Sequence, residues 1–142
     1  MRAVIQRVTR ASVAVDGRTV GSIEEPGLCV LVGVTHDDGR QQVETIARKI
    51  ATLRVMRDEK SVTDLNAPVL IISQFTLYGD ARKGRRPTWN QAAPGPVAEP
   101  LVDAVVEELR TTYRLHVETG EFGADMAVSL TNDGPVTLIV EA

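Results

Sequence analysis

The chain lacks the residues and segments that mark several common protein classes. One cysteine and two histidines among 142 residues leave no partner for an internal disulfide and no recognisable cluster of metal ligands. No apolar run approaches the length of a membrane span, and the amino-terminal residues have no signal-peptide core. A phosphate-binding loop motif is also absent. The sequence therefore predicts a protein with no metal site and no membrane segment.

The single cysteine and the composition predict the cellular compartment and the number of domains. Cys29 lies inside the apolar run Leu28–Val32, which predicts a buried thiol in a reducing, cytoplasmic setting. The hydrophobic fraction of 43% is enough for a core and argues against disorder. A length of 142 residues predicts one domain that spans residues 1–142.

Charge is distributed unevenly along the chain. The formal net charge of -3 argues against a general nucleic-acid binder. One basic run, Arg82-Lys83-Gly84-Arg85-Arg86, lies beside Trp89 in a segment rich in glycine and proline. Most such runs are solvated loops, but the attraction of a phosphate is screened beyond roughly 10 Å, so a local patch outweighs the global charge. Arg82, Lys83, Arg85 and Arg86 are therefore candidates for contacts with RNA phosphates.

Hydrophobic periodicity predicts two main helices and many strands. The first helix is capped by Asp37 or Asp38 and runs through Leu53, with a buried stripe at Val43, Ile46, Ala47 and Ile50. The second helix covers residues 97–113, with Leu101, Val105 and Leu109 on one face. The segments 58–66 and 78–96 are predicted to be turn-like and irregular. The predicted strands cover residues 2–8, 12–15, 19–23, 28–34, 53–56, 69–76, 115–118, 126–131 and 136–141.

This order of elements predicts the fold class. Strands and two helices alternate along one chain with no repeat, linker or domain boundary. We therefore predict an α/β domain with mixed, largely antiparallel β-sheets and two main helices.

A first candidate site follows the buried apolar run Val69–Ile72. The segment Ser73-Gln74-Phe75-Thr76-Leu77 places hydroxyl and amide groups at the end of that predicted strand, where α/β proteins usually present a binding site. Ser73 and Thr76 are candidate nucleophiles, but spacing alone favours hydroxyls that satisfy backbone groups. Gln74 is the more informative residue, because a buried amide needs hydrogen-bond partners.

Other catalytic arrangements are poorly supported. Ser73 lacks the sequence of a nucleophile elbow, and His36 and His116 lie in a polar turn and a probable strand. Cys29 is too enclosed by apolar neighbours to serve as a nucleophile.

A second candidate site lies near the carboxyl terminus. Asn132-Asp133-Gly134-Pro135-Val136-Thr137 separates two β-rich runs, and most turns of this composition only reverse the chain. A Gly134–Pro135 bond is compatible with either isomer. In the cis form, its two carbonyl groups would point the same way and form a wall that excludes one substituent at a chiral carbon.

The two segments together resemble the paired signatures of the D-aminoacyl-tRNA deacylases. The resemblance runs nearly end to end, from the opening Met1–Val8 through the loop Arg82–Pro87 and the segment Phe122–Met126. Two separated signatures in the expected order are more specific than either alone. The stretch from Asp58 to Ala67, near the expected rim of the pocket, is shorter than the family pattern and matches it less well.

The resemblance implies hydrolysis of the ester between tRNA and a D-amino acid, or glycine, while L-aminoacyl-tRNA is spared. It implies a homodimer with α/β/β layers, in which Gly134–Pro135 of one subunit enters the pocket of the other. Backbone groups of Phe75 and Thr76 and a ribose hydroxyl of the RNA carry the chemistry, without metal or organic cofactor. Site roles are also implied for the substrate-binding residues Ser73 and Gln74 and for the supporting residues Arg7, Met126 and Asn132.

Two other functions remain compatible with the residues alone. An esterase could use Ser73 or Thr76 as a covalent nucleophile, and a dimeric RNA-binding module could use the basic run without catalysis. Turnover of D-aminoacyl-tRNA separates the hydrolase from the module, and trapping of an acyl-protein separates it from the esterase.

Overall fold

The computed structural model describes residues 1–142 and contains one sheet, three α-helices and two short 3-10 turns. The 3-10 turns cover Arg57–Glu59 and Phe75–Tyr78. The helices are α1 (Arg40–Thr52), α2 (Val62–Leu65) and α3 (Gly95–Thr111). The strands are β1 (Arg2–Val15), β2 (Arg18–Ile23), β3 (Gly27–Gly33), β4 (Val69–Ser73), β5 (Val117–Thr119) and β6 (Ala127–Glu141).

The six strands form a mixed sheet in the order β2-β1-β3-β4-β5, with β6 paired to β1. β1 is antiparallel to β2, β3 and β6, whereas β3, β4 and β5 run parallel to one another. The sheet curves so strongly that β2 approaches β5. A Cβ on Gly21 would lie 2.3 Å from the carbonyl oxygen of Thr119, so only glycine fits there. The predicted mixed α/β fold is confirmed.

Two apolar cores hold this curved sheet together. The larger one, of 25 buried residues, lies between the sheet and helices α1 and α3 and includes Ile46, Ile50, Val105 and Leu109. The smaller one, of 7 residues, is enclosed by the curved sheet and contains Cys29. Helices therefore cover one side of the sheet, and a second core separates its two halves, which gives the α/β/β layering that the resemblance implied.

The buried stripe of α1 is confirmed, but its predicted cap is wrong. Gly39 is the N-cap residue, and its N–H donates to the Gln42 side chain at 2.9 Å. The Asp38 carboxylate instead accepts hydrogen bonds from the Met1 amino group at 2.7 Å and from the Thr35 N–H at 2.8 Å. Asp38 is therefore bound to groups outside the helix. In α3, Leu101 is only partly buried, and Ala98 joins Val102 and Val105 in the core.

The predicted strand over residues 53–56 does not form. The Val55 N–H donates to the Leu53 carbonyl within a turn, and the Val55 carbonyl accepts a hydrogen bond from Arg7, so neither group joins a strand ladder. Met56 pairs only with Lys60, across a tight turn with positive φ at Asp58 and Glu59. Residues 58–66 then include the short helix α2, which was predicted to be a turn.

The predicted strands near both termini are longer than expected. Residues 2–8 and 12–15 belong to one strand, β1, and residues 126–131 and 136–141 belong to one strand, β6. The pairing of β1 with β6 shifts register between Gln6 and Val8 and again between Val8 and Arg10, so the two strands remain paired where the regular alternation of inward and outward side chains is interrupted.

No helix of the protein is long and apolar enough to cross a membrane.

Candidate functional site

The first signature forms a strand end followed by a tight turn. The Gln74 N–H donates to the Val32 carbonyl at 2.8 Å and extends the β3–β4 pairing by one residue. β4 ends at Ser73, so the prediction that this strand continues to Thr76 is wrong. The 3-10 turn Phe75–Tyr78 packs against Gly33, where a Cβ would lie 3.0 Å from both the Gln74 carbonyl oxygen and the Leu77 side chain.

This turn leaves backbone donors available at its start. The N–H groups of Phe75 and Thr76 lie in the first turn, where no preceding turn provides an acceptor. Later donors are used internally: the Leu77 N–H reaches the Gln74 carbonyl at 3.3 Å and the Gly79 N–H reaches the Thr76 carbonyl at 2.9 Å. Arg2 fixes the end of the turn through a 2.6 Å hydrogen bond to the Leu77 carbonyl. The start of the turn can therefore donate to a ligand.

A cavity of about 540 Å³ opens beside Phe75, whereas Thr76, the next residue of the turn, does not line it. Ser73, Gln74 and Phe75 form one wall, and Met126 lies on another. Most of the lining is apolar, which suits a small organic group held by a few polar contacts. Other lining residues come from the end of β3 and the residue after it, from the segment before α3 and α3 itself, and from the segment before β6 and the start of β6: Val32, Val34, Trp89, Ala92, Ala93, Gly95, Ala98, Val102, Phe122, Gly123, Ala124, Asp125 and Val128.

The hydroxyl groups of the first signature have no basic partner. The Gln74 side-chain amide donates to Thr76 Oγ1, and no histidine contacts Ser73 or Thr76. His36 donates to the Asn90 carbonyl at 2.8 Å, while His116 Nε2 lies 3.0 Å from a carboxylate oxygen of Glu118. A Ser-His-Asp arrangement is therefore absent, and no group of three or more acidic, histidine or cysteine side chains is placed to hold a metal ion.

The second signature is fixed by Arg7, a side chain that is only 6% exposed. Arg7 donates from Nε to the Asp133 carbonyl and from Nη2 to the Gly134 carbonyl, both at 3.1 Å. Its Nη1 reaches the Val55 carbonyl at 3.1 Å. The Gly134–Pro135 peptide bond is cis. One guanidinium thus joins the second signature to the segment between α1 and α2.

Two further side chains brace this segment. The Asn132 amide donates to the Arg7 carbonyl at 2.9 Å and to the Val136 carbonyl at 3.0 Å, across the turn itself. The Asp133 carboxylate forms ion pairs with Arg57 and, at 3.2 Å, with Arg7. Hydrogen bonding from the Arg57 guanidinium holds the pKa of Asp133 below its usual range.

The two signatures lie at different places within one chain. Neither Gly134 nor Pro135 lines the cavity beside Phe75. Pro135 and Arg7 instead border a separate depression of about 490 Å³, together with Arg54, Arg57 and residues 136–138. A single copy of the chain therefore does not bring its Gly134–Pro135 segment to its own cavity.

The basic run forms an exposed loop with unequal side chains. Arg82 is bound by Asp80 through two side-chain hydrogen bonds of 2.9 and 2.6 Å. This guanidinium lowers the pKa of Asp80 to about 2. Lys83, Arg85 and Arg86 are exposed and form no ion pair. The loop is closed at its base by Asp80 and Thr88, whose backbones exchange two hydrogen bonds of 2.9 Å.

Burial explains why the single thiol takes no part in the site. Cys29 lies in the smaller core, and desolvation raises the pKa of its thiol to about 11. The thiol is therefore protonated at neutral pH and is not a nucleophile.

Sequence patterns did not assign several residues that the structure brings to these sites. Trp89 and Ala93 line the cavity although they follow the basic run, and Arg57 contacts the second signature across a long sequence separation. On the side of the cavity that carries Met126, only the segment Phe122–Met126 could be recognised from the sequence, through its resemblance to a family pattern. The other contacts depend on how the loops fold back.

The fold and site define a class of α/β protein whose apolar cavity is bordered by backbone donors at a strand end. Within that class, the chain belongs to the D-Tyr-tRNA(Tyr) deacylase family, whose family model matches residues 4–141. It is 66% identical over 142 residues to a D-aminoacyl-tRNA deacylase of Kineococcus radiotolerans, with all of both chains covered. It is also 66% identical to the D-aminoacyl-tRNA deacylase of Thermobifida fusca, with 99% of each chain covered.

Solved structures share this fold. A c-Myc DNA unwinding element binding protein superposes with a TM-score of 0.93 at 44% identity, and the match covers 100% of this chain and 99% of that one. A probable eukaryotic D-amino acid tRNA deacylase superposes with a TM-score of 0.85 at 16% identity, over 99% of this chain and 98% of that one. At 16% identity, this second likeness supports the fold alone.

Proposed function

We propose that this protein hydrolyses the ester between tRNA and a D-amino acid or glycine and spares L-aminoacyl-tRNA. The observation that carries the proposal is the free backbone donor at the start of the turn, Phe75 N–H, at the edge of the cavity, with Thr76 N–H next to it along the same turn. Membership of the deacylase family gives the substrate class. The cavity is large enough for a small organic group, and its neighbouring basic loop suits an RNA backbone.

The proposed chemistry requires little from side chains. Water adds to the ester carbonyl carbon, and negative charge develops on the carbonyl oxygen. The C=O double bond then forms again as the bond to the ribose oxygen breaks, and the leaving ribose oxygen takes a proton that the attacking water gives up. Backbone N–H groups stabilise the developing oxyanion without any change in their own charge. The terminal ribose hydroxyl of the RNA orients the water, so catalysis rests on positioning. Ser73 and Gln74 bind the substrate on the adjacent wall.

A homodimer accounts for the separation of the two signatures. We infer that Gly134 and Pro135 of one copy border the cavity of the other, where their backbone excludes the side chain of an L-amino acid. The support is that neither residue lines the cavity of its own chain, while Arg7 and Asn132 hold the turn rigidly. Met126 on the cavity wall would then face the partner's turn.

The surface of β6 supports the same proposal. None of the 15 residues of β6 is buried in one copy of the chain, and Ile139 is 70% exposed. Leu130 and Leu138 add further exposed apolar area on the same strand. An apolar strand without cover is typical of an interaction surface. Two-fold symmetry would bury both copies of β6 and create two equivalent sites.

We propose that the loop around Lys83, Arg85 and Arg86 contacts tRNA phosphates, since these cations are exposed and unpaired. Arg82 contributes less, because Asp80 already neutralises it. A cytoplasmic location, where tRNA is aminoacylated, stays a prediction. The proposed reaction uses neither metal nor organic cofactor.

The two alternatives receive less support. An esterase with Thr76 or Ser73 as a nucleophile lacks a base, because no histidine contacts either hydroxyl. A non-catalytic RNA-binding module would use the loop but would leave the cavity and its donors without a role.

Deacylation of matched tRNA substrates tests the proposal. D-aminoacyl-tRNA, L-aminoacyl-tRNA and glycyl-tRNA are incubated with the protein, and the remaining ester is measured over time. A steric penalty of about 4 kcal/mol gives roughly a thousandfold preference for the D-form over the L-form. Equal rates on the two enantiomers would refute the selection mechanism, and absence of turnover would favour the binding module.

A further inference from the structure

The single tryptophan of the chain lies between the basic loop and the turn that begins at Phe75. The Trp89 and Phe75 rings meet edge to face, with centroids 5.5 Å apart and planes inclined by 71°. Both rings line the cavity, and both are about half exposed. Edge-to-face contact places the positive edge of one ring against the negative face of the other, so it fixes ring orientation.

Gly79 provides the surface on which Trp89 rests. A Cβ at position 79 would lie 2.6 Å from Cζ3 and 3.2 Å from Cε3 of the indole. Cβ atoms essentially never approach another heavy atom to 2.6 Å, so a larger residue at position 79 would displace the ring. The indole is therefore held between the Gly79 backbone and the Phe75 ring.

Hydrogen bonds on both sides hold the Trp89 backbone. Immediately before it, Thr88 and Asp80 exchange backbone hydrogen bonds of 2.9 Å at the base of the basic loop. After it, the Thr35 hydroxyl donates to the Gln91 carbonyl, and the Ala93 N–H donates to the Val34 carbonyl at 3.0 Å. The indole thus projects from a segment attached to the loop at one end and to the end of β3 at the other.

From this geometry we propose that Trp89 is a positioning residue for the deacylation reaction. Its ring holds Phe75, and through Phe75 it fixes the start of the turn whose N–H groups stabilise the oxyanion. The inference rests on the proposed function, and it adds a residue that affects kcat by positioning the turn.

The test compares Trp89→Ala with Trp89→Phe and measures kcat and KM separately on D-aminoacyl-tRNA. Removal of the aromatic contact is expected to lower kcat by roughly three- to tenfold, with a smaller change in KM. Trp89→Phe keeps a ring against Phe75 and should restore most of kcat. Val97→Ala is the matched control, because Val97 is 46% exposed, against 45% for Trp89, and does not line the cavity.

Gly79→Ala provides a second variant that keeps the tryptophan but displaces it. It should lower kcat and shift the fluorescence of the only tryptophan. The kcat loss in the double variant Gly79→Ala/Trp89→Ala should be smaller than the sum of the two single losses. It exceeds the Trp89→Ala loss only by the effect of the other close contact of that Cβ, 3.0 Å from the Thr76 carbonyl oxygen. An unchanged kcat in Trp89→Ala, or a loss that appears only in KM, would overturn the inference. A wild-type protein that is inactive on D-aminoacyl-tRNA would overturn the proposed function together with it.

Discussion

The guanidinium of Arg7 donates a hydrogen bond to the carbonyl oxygen of Gly134 over 3.1 Å. The same side chain reaches the neighbouring Asp133 carbonyl and, in the opposite direction, the Val55 carbonyl. A planar group with several donors in fixed directions is suited to hold three carbonyl groups at once. Arg7 therefore determines where the backbone at Gly134 lies relative to the rest of the sheet.

Replacement of Arg7 by alanine should reduce both stability and activity. Three partly buried carbonyl groups would lose the charged donor that the buried Arg7 supplies, which costs about 2–4 kcal/mol of unfolding free energy. Arg7→Lys keeps the charge but cannot reproduce the planar fork, so it should recover part of the stability and little of the D-over-L preference. Denaturant unfolding and paired deacylation assays measure the two effects. Full selectivity in Arg7→Lys would show that charge alone is sufficient.

Thr76→Ala should leave measurable activity, because the proposed donor is the backbone N–H and survives truncation of the side chain. The variant loses the hydrogen bond from the Gln74 amide, so a moderate decrease in rate is expected. Loss of a covalent nucleophile would instead remove nearly all turnover. Single-turnover deacylation by folded Thr76→Ala protein, with a search for an acyl adduct in the parent, separates the two. Background activity together with such an adduct would support the esterase.

Neutralisation of the exposed loop cations should weaken tRNA binding and flatten its salt dependence. If Lys83, Arg85 and Arg86 each neutralise one phosphate, replacing one of them by glutamine lowers the slope of log K against log salt by about 0.7–0.9. Arg82→Gln should change the slope less. The pKa of Asp80 is lowered to about 2, so its carboxylate stays charged and bound to Arg82 at any pH above that value.

Filter binding or fluorescence anisotropy at several salt concentrations provides the measurement for the loop. Asp80→Asn releases Arg82 and is the matched control, because it should raise tRNA affinity without adding a cation. An unchanged salt slope in all loop variants would mean that the cations are only solvated.

Ile139→Asp should prevent dimerisation. A charge at the most exposed large apolar residue of the chain would be buried without a partner in a β6–β6 interface. Sedimentation velocity should then show a monomer, and deacylation should fall because the cavity lacks Gly134 and Pro135 of a second copy. Val97→Asp, on α3, is the control for an added surface charge. A dimeric, active Ile139→Asp protein would exclude β6 from the interface.

Regular patterns in the sequence identified most of the fold. Continuous apolar runs located β3 and β4, and the spacing of Val43, Ile46 and Ile50 located the buried face of α1. Errors arose where distant contacts outweighed local preference. Asp38 binds the Met1 amino group instead of a helix end, and the Val55 carbonyl binds Arg7 instead of a neighbouring strand.

The candidate site was less accessible from sequence for the same reason. Ser73, Gln74 and Phe75 could be placed because they follow a recognisable strand. The role of Trp89 depends on the absence of a side chain at Gly79 and on a loop that returns to β3. Arg57 meets Asp133 only because the segment after α1 lies against β6. No periodicity or local motif encodes contacts of this kind.

The pairing of β1 with β6 has a consequence for how the chain is made. Arg2 pairs with Glu141 and Ala14 with Ala127, so one edge of β1 stays unpaired until β6 has been synthesised. Until β6 leaves the ribosome, the nascent chain presents one edge of β1 as a row of unpaired amide and carbonyl groups, which invites pairing with other chains. Closure of the sheet therefore requires pairing between strands that are far apart in the sequence, which gives the fold a high contact order. Chaperone demand during expression should therefore depend on how quickly synthesis proceeds from β1 to β6.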